Sequence, residues 1–275
     1  MHAKFGRTTV EGSLVRSGLD QQSPLRLQLK AHNVHLYEYE ELLQTLPASL
    51  QSKWKEFKPA GVVSIELNAQ RRDEIWKPDL FVRCHNLSFN CGKFGYRLHR
   101  GTGTLRLEEN VLKIDMRALA SGQPVKIDGE LNPSSTQGWI EARSEAPIPI
   151  NQALLQTLTG RGRKIVESMN ASGGFSMHYR AKSNSGQGKL DHVLSIELDR
   201  CSIQHTAFPY PLYKVNGLLQ MENGNWIFQK LQGQNDSGQV TAHGSWERTP
   251  KGGLLQLHFT GLNLPLEEEL QLALS

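Results

Sequence analysis

Long apolar runs are missing from this chain of 275 residues. No stretch approaches the roughly 18 apolar residues needed to cross a bilayer as a helix, and the mean hydropathy is −0.46. Residues 1–10 hold no apolar segment of the kind a secretory signal carries. Cysteine is scarce: Cys84, Cys91 and Cys201 do not make a disulfide framework. Cys84 and Cys91 read as parts of one extended segment, about 23 Å apart at about 3.3 Å per residue, beyond bridging range. Charge of one sign is lacking too. The net charge is +4, and the basic blocks Lys53, Lys55, Lys58 and Arg161, Arg163, Lys164 carry no interleaved aromatic residues on which bases would stack. Those blocks suit a solvated helix end better than an anionic lipid surface.

Catalytic signatures are also absent. There is no Cys-x-x-Cys, no His-Glu-x-x-His and no Gly-x-Ser-x-Gly. Gly101-Thr102-Gly103 lies in a strand pattern with no helix or lysine after it, so it is not a phosphate loop. The ten histidines are scattered. No metal, cofactor or nucleic-acid partner is expected, and the chain does not read as an enzyme.

What is present is repetition. Leu-Leu-Gln-Thr-Leu stands at 42–46 and again at 154–158, with a looser copy at 270–274. The flanks agree with it. Val10-Glu11-Gly12-Ser13-Leu14 matches Ile127-Asp128-Gly129-Glu130-Leu131 and Ala242-His243-Gly244-Ser245-Trp246. Tyr96 and Gly103 match Tyr210 and Gly217. A period of about 115 residues implies an array, divided as 1–121, 122–238 and a truncated third copy at 239–275. The array stops inside an element instead of at a capping unit, so an internal fragment of a longer protein is expected.

Within a unit, alternation of apolar and polar residues predicts six strands. In the first copy these cover 7–15, 25–36, 61–69, 79–91, 99–107 and 112–118. Residues 70–78 read as a polar turn. Phase slips near Asn33 and between Cys84 and Leu87 predict β-bulges. The first slip recurs after Phe259, and the second between Leu198 and Cys201. Leu42, Leu46, Leu50, Trp54 and Phe57 form one helical face interrupted at Pro47. The second copy is expected to break at Gly160-Arg161-Gly162.

One short helix cannot cover the apolar side of six strands. The predicted class is therefore mainly β with short helices: an elongated, curled antiparallel sheet, or β-groove. Its apolar stripe in the first copy is Val10, Leu27, Leu29, Ile65, Leu67, Leu105, Leu107 and Ile114. In the later copies it continues through Ile127, Phe175, Met177, Leu219, Met221 and Ala242. Gly12, Gly129 and Gly244 sit on the same face. The alternation fits a packed core as well as an open groove, and the glycines fit a sheet bend as well as a close approach by a ligand.

Phrases such as Val215-Asn216-Gly217, Leu231-Gln232-Gly233 and Gly238-Gln239-Val240 before Gly244 resemble the AsmA-like family of bacterial envelope proteins, which includes the TamB-type proteins. The resemblance extends over essentially the whole chain. It implies a long curled sheet with an apolar interior, anchored at the inner membrane by a helix outside this chain and extending through the periplasm. It also implies transport of phospholipid between membranes along the stripe, with no catalytic residue. The opposing expectation is a structural or adhesive β-repeat protein with a closed core and no ligand.

Overall fold

The computed structural model describes residues 2–19, 23–36, 48–72, 75–91, 96–133, 135, 137–158, 160–183, 190–206, 208–250, 252–265 and 268–274. The strands are β1 (His2–Phe5), β2 (Thr8–Arg16), β3 (Leu25–His35), β4 (Ala60–Arg72), β5 (Ile75–Cys91), β6 (Tyr96–Glu108), β7 (Val111–Ala120) and β8 (Gln123–Leu131). They continue as β9 (Gly138–Ser144), β10 (Ile148–Ile150), β11 (Ser172–Ser183), β12 (Leu190–His205), β13 (Phe208–Glu222), β14 (Asn225–Asn235), β15 (Gly238–Thr249) and β16 (Gly252–Leu262). Four short helices accompany them: α1 (Ala48–Phe57), α2 (Gln152–Thr157), α3 (Gly160–Ser168) and α4 (Glu268–Leu274).

All strands join one antiparallel sheet whose path runs in chain order from β1 to β16, except that β9 pairs directly with β11 and β10 adds to β11 off this path. Among the described residues β1 and β16 form its two edges without closing on each other. Most successive strands are joined by short connections, which leave them little option but to pair antiparallel. α1 lies in the longer link between β3 and β4, and α2 and α3 in that between β10 and β11. Glu109 and Asn110 both have positive φ, as do Asn223 and Gly224. Two such residues make the hairpin turn whose twist matches the flanking strands.

The bulges fall where the phase slips place them. Register shifts between Ala31 and Val34, Cys84 and Leu87, and Leu198 and Cys201. Asn33 takes φ 54° at the first of these, a left-handed conformation that asparagine tolerates better than most residues. The remaining expected slip, after Phe259, differs. β15 and β16 pair without a shift through Leu262, and Asn263, at φ 52°, comes just after the strand. The physical reason lies in β3, whose bulge registers only against β4 and not against β2. Among the described residues β16 has no neighbour on that side.

Two other expectations shift. Residues 70–72 and 75–78 are ladder, not turn, with Arg71 opposite Trp76 and Pro78 opposite Ala69. Pro78 is tolerated because β6 begins pairing only at Leu80, so no ladder bond is lost on that side. The helical break in the second copy falls at Leu158, which leaves the helix with extended backbone (ψ 141°), while Gly160 begins α3. In the first copy α1 starts just after Pro47, and the expected helical residues Leu42 and Leu46 lie outside the described residues.

The core lies toward the strand ends that carry α2 and β10. Val125, Ala118, Leu98, Ile148 and Leu154 are nearly fully buried there. Asn151 sets α2 in place, its side-chain carbonyl accepting from the Leu154 backbone N–H at 3.0 Å. This is an N-cap, which satisfies a donor that the helix itself leaves free. The β10 strand pairs with the part of β11 that β9 does not reach. Ser144 spans the gap, its Oγ accepting from Met177 N at 2.9 Å.

Candidate apolar binding face

Alternation along each strand, carried across the sheet by register, separates two faces. One row begins at Val34 and passes through Val63, Cys84, Gly103, Met116, Ile127 and Ala142. It continues through Tyr179, Leu194, Met221, Trp226, Trp246 and Leu255. No member carries a formal charge. The row crosses every strand of the main path from β3 to β16, because bulges add residues without exchanging the faces of their neighbours.

The predicted stripe residues all lie on this face. Val10, Ile65, Leu105, Ile114 and Gly129 share a parallel row with Ala31, Val82, Ile140 and Ala181. Gly12, Leu29, Leu67 and Leu107 share the next, with Leu80, Leu112 and Leu131. Leu27 pairs with Leu14 and Ala69. Met177, Leu219 and Gly244 align through Ile196 and Phe228. Phe175 lies opposite Ile148 and Leu198, and Ala242 between Leu231 and Phe259.

Exposure along this face is graded. Val125 is 1% exposed and Met116 5%. Leu105, Leu107, Ile114 and Leu67, nearer the opposite strand ends, are half-buried. Leu14 reaches 64%. The last strand is open along its length, with Leu255 at 54% and Phe259 at 60%.

The glycines act mainly on the backbone. A Cβ on Gly244 would stand 2.0 Å from the Gln256 carbonyl oxygen, and one on Gly129 would stand 2.9 Å from that of Trp139. At Gly12 the nearest atom is the Gln28 oxygen at 3.5 Å, an ordinary contact. In the two later copies, then, close approach of the next strand requires the glycine.

Sequence reasoning passed over Leu80, Val82, Ile140, Leu194, Ile196, Trp226, Phe228 and Trp246, although the same alternation marks them. Polar groups also stand on this face: the Tyr179 hydroxyl lies 2.7 Å from His192 Nδ1, with the two rings stacked at 6.1 Å, and at the opposite strand ends Arg16 and Arg71 flank Leu25 in one row. The buried thiols are held protonated. Burial pushes Cys84 up to about 11. Cys201 is also raised, chiefly by burial, although backbone carbonyls of Gly174 and Asp199 accept from its thiol.

The other face is charged. Asp115, Asp128 and Glu141 lie directly opposite one another, beside a row of Arg117, Lys126, Arg143 and His178. Like charges opposite each other repel. Lys126, 3.1 Å from Asp128 in the neighbouring row, and Arg180, opposite Glu141 and 3.5 Å from it, relieve this, and His178 Nε2 lies 2.6 Å from a Glu141 carboxylate oxygen. A shallow hollow of about 390 Å3 at the β1–β3 corner is lined by His2, Glu11, Gly12, Ser13, Gln28 and Lys30. Its side chains belong to the polar face. Among the described residues no group of three or more His, Cys, Asp or Glu could hold a metal ion, and no helix is long and apolar enough to cross a membrane.

The class defined by this geometry is a mainly β protein: one large, unclosed antiparallel sheet with an apolar and a charged face. No protein-family model, curated protein or solved structure matches the chain.

Proposed function

We propose that this chain is a section of a lipid-conducting β-groove of the AsmA-like type, whose apolar face holds the acyl chains of phospholipid. The observation that carries this is the uncharged row from Val34 to Leu255 across a sheet that does not close. An acyl chain on such a face gains about 0.8 kcal/mol per buried methylene. It meets few fixed polar groups, so headgroup and chain selectivity are low. Movement along the rows needs no bond to form or break, and the proposed role is not enzymatic. The setting is the cell envelope, with the sheet curled across the periplasm and the membrane reached through segments outside this chain.

The repeat reading belongs to this proposal, and the backbone supports it. Residues with positive φ recur at the expected spacing: Lys58 with Asn170, Gly61 with Gly173, Arg100 with Lys214, and Gly103 with Gly217. Gly6, Ser121 and Asp236 recur 115 residues apart, and Asn33 recurs at Asn263. Such conformations cost non-glycine residues free energy, so their recurrence favours a shared template of six long strands and a helical segment. A structural or adhesive role with a closed core draws on a different observation, the full burial of Ile148 and Leu154 at one end of the face.

Native mass spectrometry of the purified chain, followed by lipid extraction, separates the two readings. Groove binding predicts co-purifying phospholipid, with affinity falling about tenfold or more in Leu67→Asp and Leu107→Asp, since an acyl chain cannot solvate a carboxylate. A chain that is lipid-free as purified and takes up no fluorescent fatty acid after delipidation would overturn the lipid reading.

A further inference from the structure

We infer that the edge of β16, which pairs with no further strand among the described residues, is a docking site for an extended polypeptide segment with the apolar alternation of β4, which adds to the sheet as a further strand. This rests on the repeat reading proposed above, and not on lipid binding.

Three observations carry it. First, β16 is exposed at every residue and carries no Lys, Arg, Asp, Glu or Pro. Edge strands ordinarily carry such residues because an unpaired ladder is a template for another strand. The opposite edge differs: β1 is four residues long and includes Lys4. Second, β16 corresponds to β3, and the β3 edge is occupied by β4. Asn263 repeats the left-handed conformation of Asn33 at φ 52° against 54°, so the bend that β4 accommodates is already formed at the end of β16. Third, the side chains are complementary in the β4 register. In β3 and β4, Ala31, Leu29 and Leu27 oppose Ile65, Leu67 and Ala69. The corresponding β16 residues are Gly261, Phe259 and Leu257, so the small residue again faces Ile65 and the large one Leu67.

A folded second copy fits less well. Its β4 and β11 are paired on both sides, which leaves it the short β1 or another bent β16 to offer. Strand addition of this kind takes affinity from main-chain hydrogen bonds and specificity from alternate side chains.

The test uses the delipidated chain and a fluorescent peptide with the sequence of Ala60–Ala69, followed by anisotropy and by amide hydrogen exchange. The expected result is saturable binding, about tenfold tighter than a scrambled peptide, with new protection confined to residues 253–262. Phe259→Asp in the protein, or Leu67→Asp in the peptide, should each weaken binding about tenfold or more, whereas Glu66→Gln in the peptide should change it less than about twofold. Phe259 is exposed, so its substitution leaves the fold intact. Equal binding of the scrambled peptide would overturn the inference. So would protection elsewhere, or sedimentation as a dimer with β16 already protected before peptide is added. Because lipid is absent throughout, failure here leaves the lipid reading standing, and failure of lipid binding leaves this one standing.

Discussion

Three glycines offer a graded test of how closely the strands of this sheet approach one another. Gly103 has φ 135°, and a Cβ there would stand 2.2 Å from the Asp115 oxygen and 2.7 Å from Met116 Cα. Both obstacles are backbone, so no side chain can swing aside. Gly103→Ala should therefore cost about 1–3 kcal/mol for the backbone conformation and about 1–3 kcal/mol more for displacing β7. Gly122 has φ 83° with nothing within 4 Å, so Gly122→Ala carries only the conformational cost, about 1 kcal/mol. Gly12 has neither burden, its nearest contact being 3.5 Å away. Gly12→Ala should be neutral or stabilise by up to about 1 kcal/mol, since alanine restricts the unfolded chain. Urea titrations followed by tryptophan fluorescence and far-ultraviolet circular dichroism give the three values. A Gly103→Ala cost below about 1 kcal/mol, or a Gly12→Ala cost as large as that of Gly103→Ala, would refute the reasoning.

Two further substitutions probe buried polar chemistry. With its ionisation displaced from 9.0 to about 11 in the folded chain, Cys84 contributes stability that is complete below pH 9 and is lost as pH rises toward 11. The difference is about 3 kcal/mol, so the Cys84→Ala variant should lose less stability than the parent across that window in urea titrations at stepped pH. The buried Asn235 donates from Nδ2 to the Pro211 carbonyl at 2.8 Å, with Glu269 of α4 3.5 Å away. Asn235→Ala leaves that carbonyl unmatched, and chemical denaturation should register a loss of about 1–3 kcal/mol.

Much of the architecture was legible in the residue pattern because its determinants are local. Alternation at Leu25, Leu27 and Leu29 marks a strand and the face it turns inward. The slip at Asn33 marks a bulge because an added residue changes the phase of everything after it. Less legible were the strand ends. The polarity of Gln70, Arg71 and Arg72 suggests a turn, but pairing with Ile75 and Trp76 extends the ladder through them. Propensity at a strand end is a smaller term than two more backbone bonds to a neighbour already in register.

Taken alone, the order of residues determined which side chains share a face, since that depends only on the period-two geometry of a strand and on short turns. How far each side chain on the face is covered was decided by the tertiary structure. Ile127 and Leu107 read alike in sequence, yet the first is buried in the cluster that includes Ile148 and Leu154, and the second is half-buried. That difference arises from Ile148 of β10 and Leu154 of α2, which join the cluster at one end of the sheet and are distant in sequence from most of its members. The open edge at β16 was likewise decided by tertiary structure. Its alternation matches that of β3, and what distinguishes the two is that β4 pairs with β3 whereas, among the described residues, no strand pairs with the corresponding side of β16.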